Sequence, residues 1–262
     1  MTATNLPRRC ACVMMLAATV LAGCELLPVQ EGSGAWSRWS LSRALSDPAR
    51  PAADRERDAA RKPVELVTFL GVERGMTAVD LMGAGGYLTE VLSIAVGPQG
   101  RVYVQNPPAV LQMRDGAYDK ALSERLAEGR LANVVRVDAD LPTAEIPAGG
   151  VDVALTALNF HDIYNRGGED AADIFLRSVY TMLRPGGVLG VVDHAGNEGV
   201  DNTELHRIAP SVVLALAEKT GFIFEARSEA LANPEDDRSL RVHDPAIRGR
   251  TDQFVLKFKR PE

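Results

Sequence analysis

Thiols are scarce in this 262-residue chain, and its three cysteines, Cys10, Cys12 and Cys24, all fall near the start. Beyond Cys24 nothing is left for a disulfide, a thiolate nucleophile or a thiolate metal site, so cysteine chemistry is excluded from the rest of the chain. An excess of positive charge is missing as well. The formal net charge is −6, which argues against general nucleic-acid binding, and no nucleic-acid partner is expected. Internal repeats and low-complexity blocks are absent. The apolar run at residues 10–20 is too short to span a bilayer, which takes about 20 residues.

That short run has a different reading. Arg8 and Arg9 precede it and Leu21-Ala22-Gly23-Cys24 follows it, the order of a basic region, an apolar region and an acylated cysteine in a bacterial lipoprotein signal. The expectation is a signal peptide at residues 1–23, a lipidated Cys24 with a tether over residues 24–50, and one domain over residues 51–262. It places the protein in the bacterial cell envelope, held to a membrane by lipid on Cys24 and facing the periplasm. Gly32-Ser33-Gly34 suits a flexible tether. Trp36 and Trp39 are spaced to share a helix face packed on the domain. Asp54, Arg57, Asp58 and Arg61 recur at helical intervals, the pattern of a solvated, self-paired face.

Ligand chemistry enters at Val79-Asp80-Leu81-Met82-Gly83-Ala84-Gly85-Gly86-Tyr87, which reads as a strand end, a glycine-rich turn and a helix start. Leu88, Val91, Leu92 and Ala95 then fall on one helical face. A helix start offers unpaired N–H groups and a positive dipole end, and small residues let a ligand come close to the backbone. The glycine offsets do not fit the dinucleotide pattern G-x-G-x-x-G, and no Gly-Lys-Ser/Thr follows, so a P-loop is excluded too. Further strands are expected at residues 101–105, 134–137, 151–155 and 188–192, with a helix at residues 170–183 whose inward side is Ala171, Ile174, Phe175, Val179 and Met182. A helix from Pro210 to Lys219 and strands at residues 222–226 and 253–259 follow, the last near a sheet edge. Short apolar strands alternating with helices imply a parallel sheet covered on both faces, with the ligand beyond the C-terminal strand ends.

Asp80 and the loop behind it resemble motif I of the class I S-adenosylmethionine-dependent methyltransferases; the three glycine positions of that motif are here Met82, Ala84 and Gly86. Leu183-Arg184-Pro185-Gly186-Gly187 is similar to the turn before strand five in that family. Arg61-Lys62-Pro63, Gly75-Met76, Gly85-Gly86-Tyr87-Leu88-Thr89-Glu90, Gly97-Pro98 and Asn159-Phe160-His161-Asp162 resemble a group of predicted bacterial methyltransferases, many of them exported. The resemblance covers roughly residues 54–259. It implies a Rossmann-like α/β fold, with a mostly parallel seven-stranded sheet and helices on both faces, that uses S-adenosylmethionine on a small-molecule substrate. It assigns Asp80, Gly83, Gly85, Gly86 and Tyr87 to the methionine part of the cofactor. Gln105 and Asn106 stand where the family has an acid for the ribose hydroxyls, Asp138, with Asp140 nearby, is the candidate for the adenine amino group, and Asn159 borders the same pocket.

Strand four ends in Asn159-Phe160-His161-Asp162 and strand five in Asp193-His194, so two of four histidines fall at ligand-side strand ends. His161, Asp162 and His194 are the catalytic candidates, with His161 first as the base that takes a proton from the methyl acceptor. His206 is a further contributor. Imidazole plus carboxylate also suits divalent metals, but without a tight ligand spacing no metal is assigned. The polar segment at residues 233–251, with Arg241, His243, Asp244, Arg248 and Arg250, is long enough to fold over the acceptor. The export signal and the cofactor conflict, since S-adenosylmethionine is not expected outside the cytoplasm. The alternative reading is an exported lipoprotein that uses the fold to bind another ligand without catalysis.

Overall fold

A computed structural model of the chain describes residues 1–2 and 35–262; the expected signal peptide, Cys24 and the glycine-serine tether lie outside the described residues. No helix among the described residues is long and apolar enough to cross a membrane.

Seven strands form one sheet: β1 (Thr77–Leu81), β2 (Arg101–Gln105), β3 (Val134–Val137), β4 (Val151–Ala157), β5 (Leu183–His194), β6 (Ile223–Ser228) and β7 (Gln253–Lys259). They lie in the order β3-β2-β1-β4-β5-β7-β6. The first five are parallel, and β7 runs antiparallel between β5 and β6. The order reverses between β1 and β4, which is where an open α/β sheet forms its crevice.

Side chains alternate across the sheet. Val79, Leu81, Ala154, Leu189 and Val191 face α7 (Phe160–Met182) and α8 (Pro210–Thr220), through Phe175, Leu176, Val179 and Leu216. Ala78, Val102, Val153, Leu155 and Val192 face α1 (Arg38–Leu45), α3 (Pro63–Leu70) and α4 (Tyr87–Val96), through Leu41, Leu66, Leu70 and Val91. Both sides are thus dry, which explains the nearly unbroken apolar runs in β1, β2 and β4.

Several expectations shift. The packed body begins before residue 51, because α1 buries Leu41 and Leu45 against α3 and α4. Trp36 and Trp39 do not share a face: Ser37 caps α1 after Trp36, whose Nε1 donates to the Ala95 carbonyl at 2.6 Å, while Trp39 is exposed. Helix α7 starts at Phe160 and is interrupted at Gly168 (φ 65°, ψ −160°). Its buried stripe is Ala172, Phe175, Leu176, Val179 and Met182, with Ile174 exposed; the inward face is turned by about one position from the expected one. Strand β7 does lie near the sheet edge, one strand in, and the edge itself is β6, with Ile223 and Phe224 exposed.

The charged helix α2 (Ala52–Arg61) is not a solvated face either. Asp54 is buried and accepts from Arg125 Nη2 at 2.6 Å. Asp58 takes Arg50 Nη1 at 2.6 Å and the Tyr87 hydroxyl at 2.7 Å. Arg125 sits on α6 (Met113–Leu126), which follows the short α5 (Pro108–Leu111); it also pairs with buried Glu90 of α4 and donates its Nε to the Gly85 carbonyl at 2.9 Å. Arg130 adds a second cation to Glu90 at 2.5 Å. One guanidinium therefore joins α2, α4, α6 and the glycine turn. Replacing Arg125 by Met takes a guanidinium from two buried carboxylates, leaving Arg57 on Asp54 and Arg130 on Glu90, and urea unfolding should show a loss of up to about 3–5 kcal/mol. A loss under about 1 kcal/mol, the value of a surface pair, would contradict this reading.

Candidate functional site

The turn after β1 is built around the buried Asp80. Its Oδ2 accepts from Thr89 Oγ1 at 2.6 Å, and a Cβ on Gly83 would come within 2.5 Å of that same oxygen, so only glycine fits there. Burial pushes the Asp80 carboxyl up from 3.8 to about 6, against the lowering effect of the Thr89 hydrogen bonds and the Arg125 charge. Met82 (φ 52°), Ala84 (φ 49°) and Gly86 (φ 83°) are all left-handed. For non-glycine residues that conformation costs on the order of 1–3 kcal/mol and persists only when the surroundings enforce it.

The enforcing groups are the residues expected to bind ribose. Gln105 is fully buried, accepts from Met82 N–H at 3.2 Å and donates to the Ala139 carbonyl at 2.7 Å. Asn106, also fully buried, accepts from Ala84 N–H at 2.8 Å and donates to the Ala84 carbonyl at 3.3 Å. The structure corrects their role: short neutral amides at the tip of β2 clamp the glycine turn. Tyr87 is likewise turned away from the expected role, its hydroxyl donating to Asp58 and its ring 4.5 Å below the Arg57 guanidinium. Both oxygens of Asp138 accept from Arg136 Nε, at 2.9 and 2.8 Å. Gly86 packs against Leu122 and Arg125, and Gly85 against Ala121, all on α6. Within residues 82–86 the Gly85 N–H alone has no partner among the described residues.

At the tip of β4, Asn159 Nδ2 donates to the Met82 carbonyl at 3.2 Å and to the Ala157 carbonyl at 2.9 Å, tying the β4 tip to the glycine turn. Asn159 is also the residue before α7, yet its side chain does not cap the helix. The cap comes from β5: buried Asp193 accepts the His161 N–H at 2.8 Å on Oδ2. Its Oδ1 accepts His161 Nδ1–H at 2.6 Å and the His194 N–H at 2.7 Å. A carboxylate is a pure acceptor, so in the neutral ring the proton sits on Nδ1 and His161 Nε2 carries the lone pair. Burial opposes charge on His161, but Asp193 outweighs it and holds the His161 pKa above its ordinary value.

All four histidines of the chain meet here. The His161 ring lies 5.6 Å from His194 and 5.9 Å from His206, and His206 lies 5.3 Å from His243. His194, Nδ1 bonded to Thr251 Oγ1 at 2.7 Å, is pushed down to about 3 by burial, which outweighs the help of Asp193. A lowered pKa makes a poorer proton acceptor at neutral pH, which favours His161 over His194 as the base. Asp162 sits beside the pair, its Oδ1 3.8 Å from His161 Nε2 and 3.4 Å from His206 Nδ1. Leu158 (φ 61°) and His206 (φ 53°) add two more left-handed residues to the strand-tip region.

The segment at residues 233–251 is a fixed strap. Because β7 runs antiparallel to β5, with Gln253 opposite His194, the chain leading into β7 must approach the parallel strand tips. Fully buried Arg207 pairs with Asp236 at 2.9 Å and bonds the Ala195 and Leu240 carbonyls, and Arg238 pairs with Asp252 at 2.8 Å. The strap brings in His243 and Thr251. Sequence reasoning missed Asp236 and Thr251, and only the antiparallel last strand, had it been placed, could have pointed to them. A groove of about 600 Å³ lined by Arg38, Trp39, Asp58 and Val64 lies among α1, α2 and α3 and includes none of these strand-tip residues.

No family model matches the chain. The ubiquinone/menaquinone biosynthesis C-methyltransferase UbiE of Escherichia coli is 32% identical over 124 residues, 47% of this chain and 44% of the relative. The chain therefore spans less than half the length of that curated relative. A SAM dependent methyltransferase of Aquifex aeolicus is 18% identical with a TM-score of 0.56, over 86% of this chain and 98% of that one. Phosphoethanolamine N-methyltransferase 2 of Haemonchus contortus, solved in complex with S-adenosyl-L-methionine, is 15% identical with a TM-score of 0.54, over 77% of this chain and 53% of that one. These likenesses, with the strand order, establish a Rossmann-like methyltransferase fold.

The raised Asp80 pKa has a signed consequence. The folded state favours the neutral acid, so its contribution to stability is complete below pH 4 and is lost as pH rises toward about 6. Over that window urea midpoints of the natural chain should fall relative to Asp80→Asn, by up to roughly 3 kcal/mol in unfolding free energy. Parallel pH profiles for the two proteins would contradict the burial of this charge.

Proposed function

We propose that this chain is an S-adenosylmethionine-dependent methyltransferase acting on a small molecule. One observation carries the reading: a glycine turn on β1 and an Asp-oriented imidazole between β4 and β5 lie at the same ends of adjacent parallel strands. The partial likeness to a C-methyltransferase supports it.

The residues present fit the cofactor at β1 and β4. The Gly85 N–H is unpartnered, and Thr156, one residue short of the β4 end and in register with Leu81 and Val191, has a buried hydroxyl without a partner. Asp80 and Gly83 shape the turn from beneath, and Gly85 and Asn159 border the methionine part. Bound there, S-adenosylmethionine supplies a methyl group made electrophilic by its sulfonium. Asp193 holds the imidazole and keeps the proton on Nδ1. His161 Nε2 then takes the proton of the acceptor, while the strap with His206 and His243 covers the approach.

Calorimetric titration with S-adenosylmethionine and its demethylated product should give micromolar binding, and folded protein that binds neither at millimolar ligand would reject the proposal. His161→Ala should keep that affinity while lowering turnover on any accepted substrate by about 10²–10⁴-fold; equal turnover would remove His161 from the mechanism. The envelope location is a separate proposal, supported by Arg8, Arg9 and the Leu21-Ala22-Gly23-Cys24 sequence. Cys24→Ala should abolish lipid labelling and membrane retention, and unchanged fractionation would overturn it.

A further inference from the structure

We infer that His161, Asp162 and His206 form a binding site for one divalent transition-metal ion of the zinc type. The inference goes beyond methyl transfer and does not depend on it. It contradicts the expectation, from spacing alone, that no metal is bound.

Each of the three residues offers one ligand atom, and these atoms lie within 4.8 Å of one another. They come from two separate segments: the first turn of α7 supplies His161 and Asp162, and the left-handed residue after Thr203–Leu205 supplies His206. That arrangement is why no local spacing motif exists. Asp162 Oδ1 is ringed at 3.4 Å by His206 Nδ1, at 3.5 Å by Arg166 Nη2 and at 3.8 Å by His161 Nε2. Every one of these separations exceeds a hydrogen bond of normal length, which is about 2.7–3.2 Å for nitrogen to oxygen. Two potential donors and the lone-pair nitrogen of His161 thus face one carboxylate oxygen with nothing at bonding distance. Two ligands on an ion with bonds of about 2.0–2.1 Å are roughly 3.0 Å apart at right angles and about 3.4 Å apart at the tetrahedral angle. The His206–Asp162 edge already has that length, and the His161–Asp162 edge needs a few tenths of an ångström of closure.

The surroundings match a metal centre in a second respect. A metal-bound imidazole almost always donates its other ring N–H to a carboxylate or carbonyl, which fixes the tautomer and makes the ligand more basic. Asp193 does this for His161 at 2.6 Å, from full burial. Two imidazoles with one carboxylate suit zinc, iron, cobalt or nickel, whereas magnesium and calcium prefer oxygen ligands. Arg166 is largely exposed and free to leave Asp162 when an ion enters. The exposed His243 ring lies beside His206, tilted against it at 5.3 Å between centroids. With an ion in place, His161 Nε2 coordinates and no longer accepts a proton, so metal and proton compete for one lone pair.

Equilibrium dialysis of the tag-free chain against Zn²⁺, with Co²⁺ visible absorption as a second readout, tests the site. The expected result is one ion per chain, Co²⁺ bands displaced by Zn²⁺ and untouched by Mg²⁺, and affinity lowered at least about tenfold in His206→Ala and in Asp162→Asn. Circular dichroism and thermal melting check that both variants are folded. Cys10, Cys12 and Cys24 are common to all three proteins, so only a loss that follows the histidine and aspartate substitutions counts in favour. Absence of bound Zn²⁺ at millimolar metal, or equal affinity in folded variants, would overturn the site. Failure to bind S-adenosylmethionine would leave this measurement unchanged.

Discussion

The candidate site depends on the buried carboxylate of Asp193. With three hydrogen bonds it starts a helix, fixes an imidazole and holds the backbone of the next residue. An ionised carboxylate at a helix N-terminus is favoured by the free N–H groups and the helix dipole. That favourable cap also aims the His161 ring, because the capped N–H and the ring belong to the same residue. Fold and chemistry therefore share one interaction. Any change that moves β5 relative to α7 shifts the His161 Nε2 atom, whether that atom serves as a base or as a metal ligand.

A second constraint lies at β1. The glycine turn carries two left-handed non-glycine residues, and Gln105, Asn106 and Arg125 hold it in place by bonding its amides and carbonyls. The Arg125 network reaches from the turn back to α2 and forward to Glu90. Polar groups that a reader of the sequence would give to a ligand are instead spent on the protein itself. The turn is preorganised by this arrangement, and a cofactor would meet a backbone already shaped.

The sheet was legible because its signals are local. Strands β1, β2 and β4 are short apolar runs between turn residues, and the Pro185-Gly186-Gly187 turn marks the approach to β5. Asp80, Asn159, His161 and Asp193 were placed at strand tips from position alone. What the sequence hid were contacts between distant segments. Asp54 and Arg125 are 71 positions apart, and nothing near either announces that both are buried. Gln105 and Asn106 looked like ligand groups because their own neighbourhood says only that a strand ends there. The approach of His243 to His206 needs the antiparallel β7, whose direction no local pattern encodes. The stripe of α7 was misjudged for a related reason: its phase is set by packing on α8 and β5.

The tautomer of His161 is the most direct readout of the Asp193 interaction. Nitrogen-15 ring shifts of the four histidines, followed against pH in the metal-free protein, should show His161 as the Nδ1–H form, with a slowly exchanging ring proton and an unprotonated Nε2 above its titration. A His161 ring in the Nε2–H form, or one averaging freely between tautomers, would contradict the account, because Asp193 would then not be holding it.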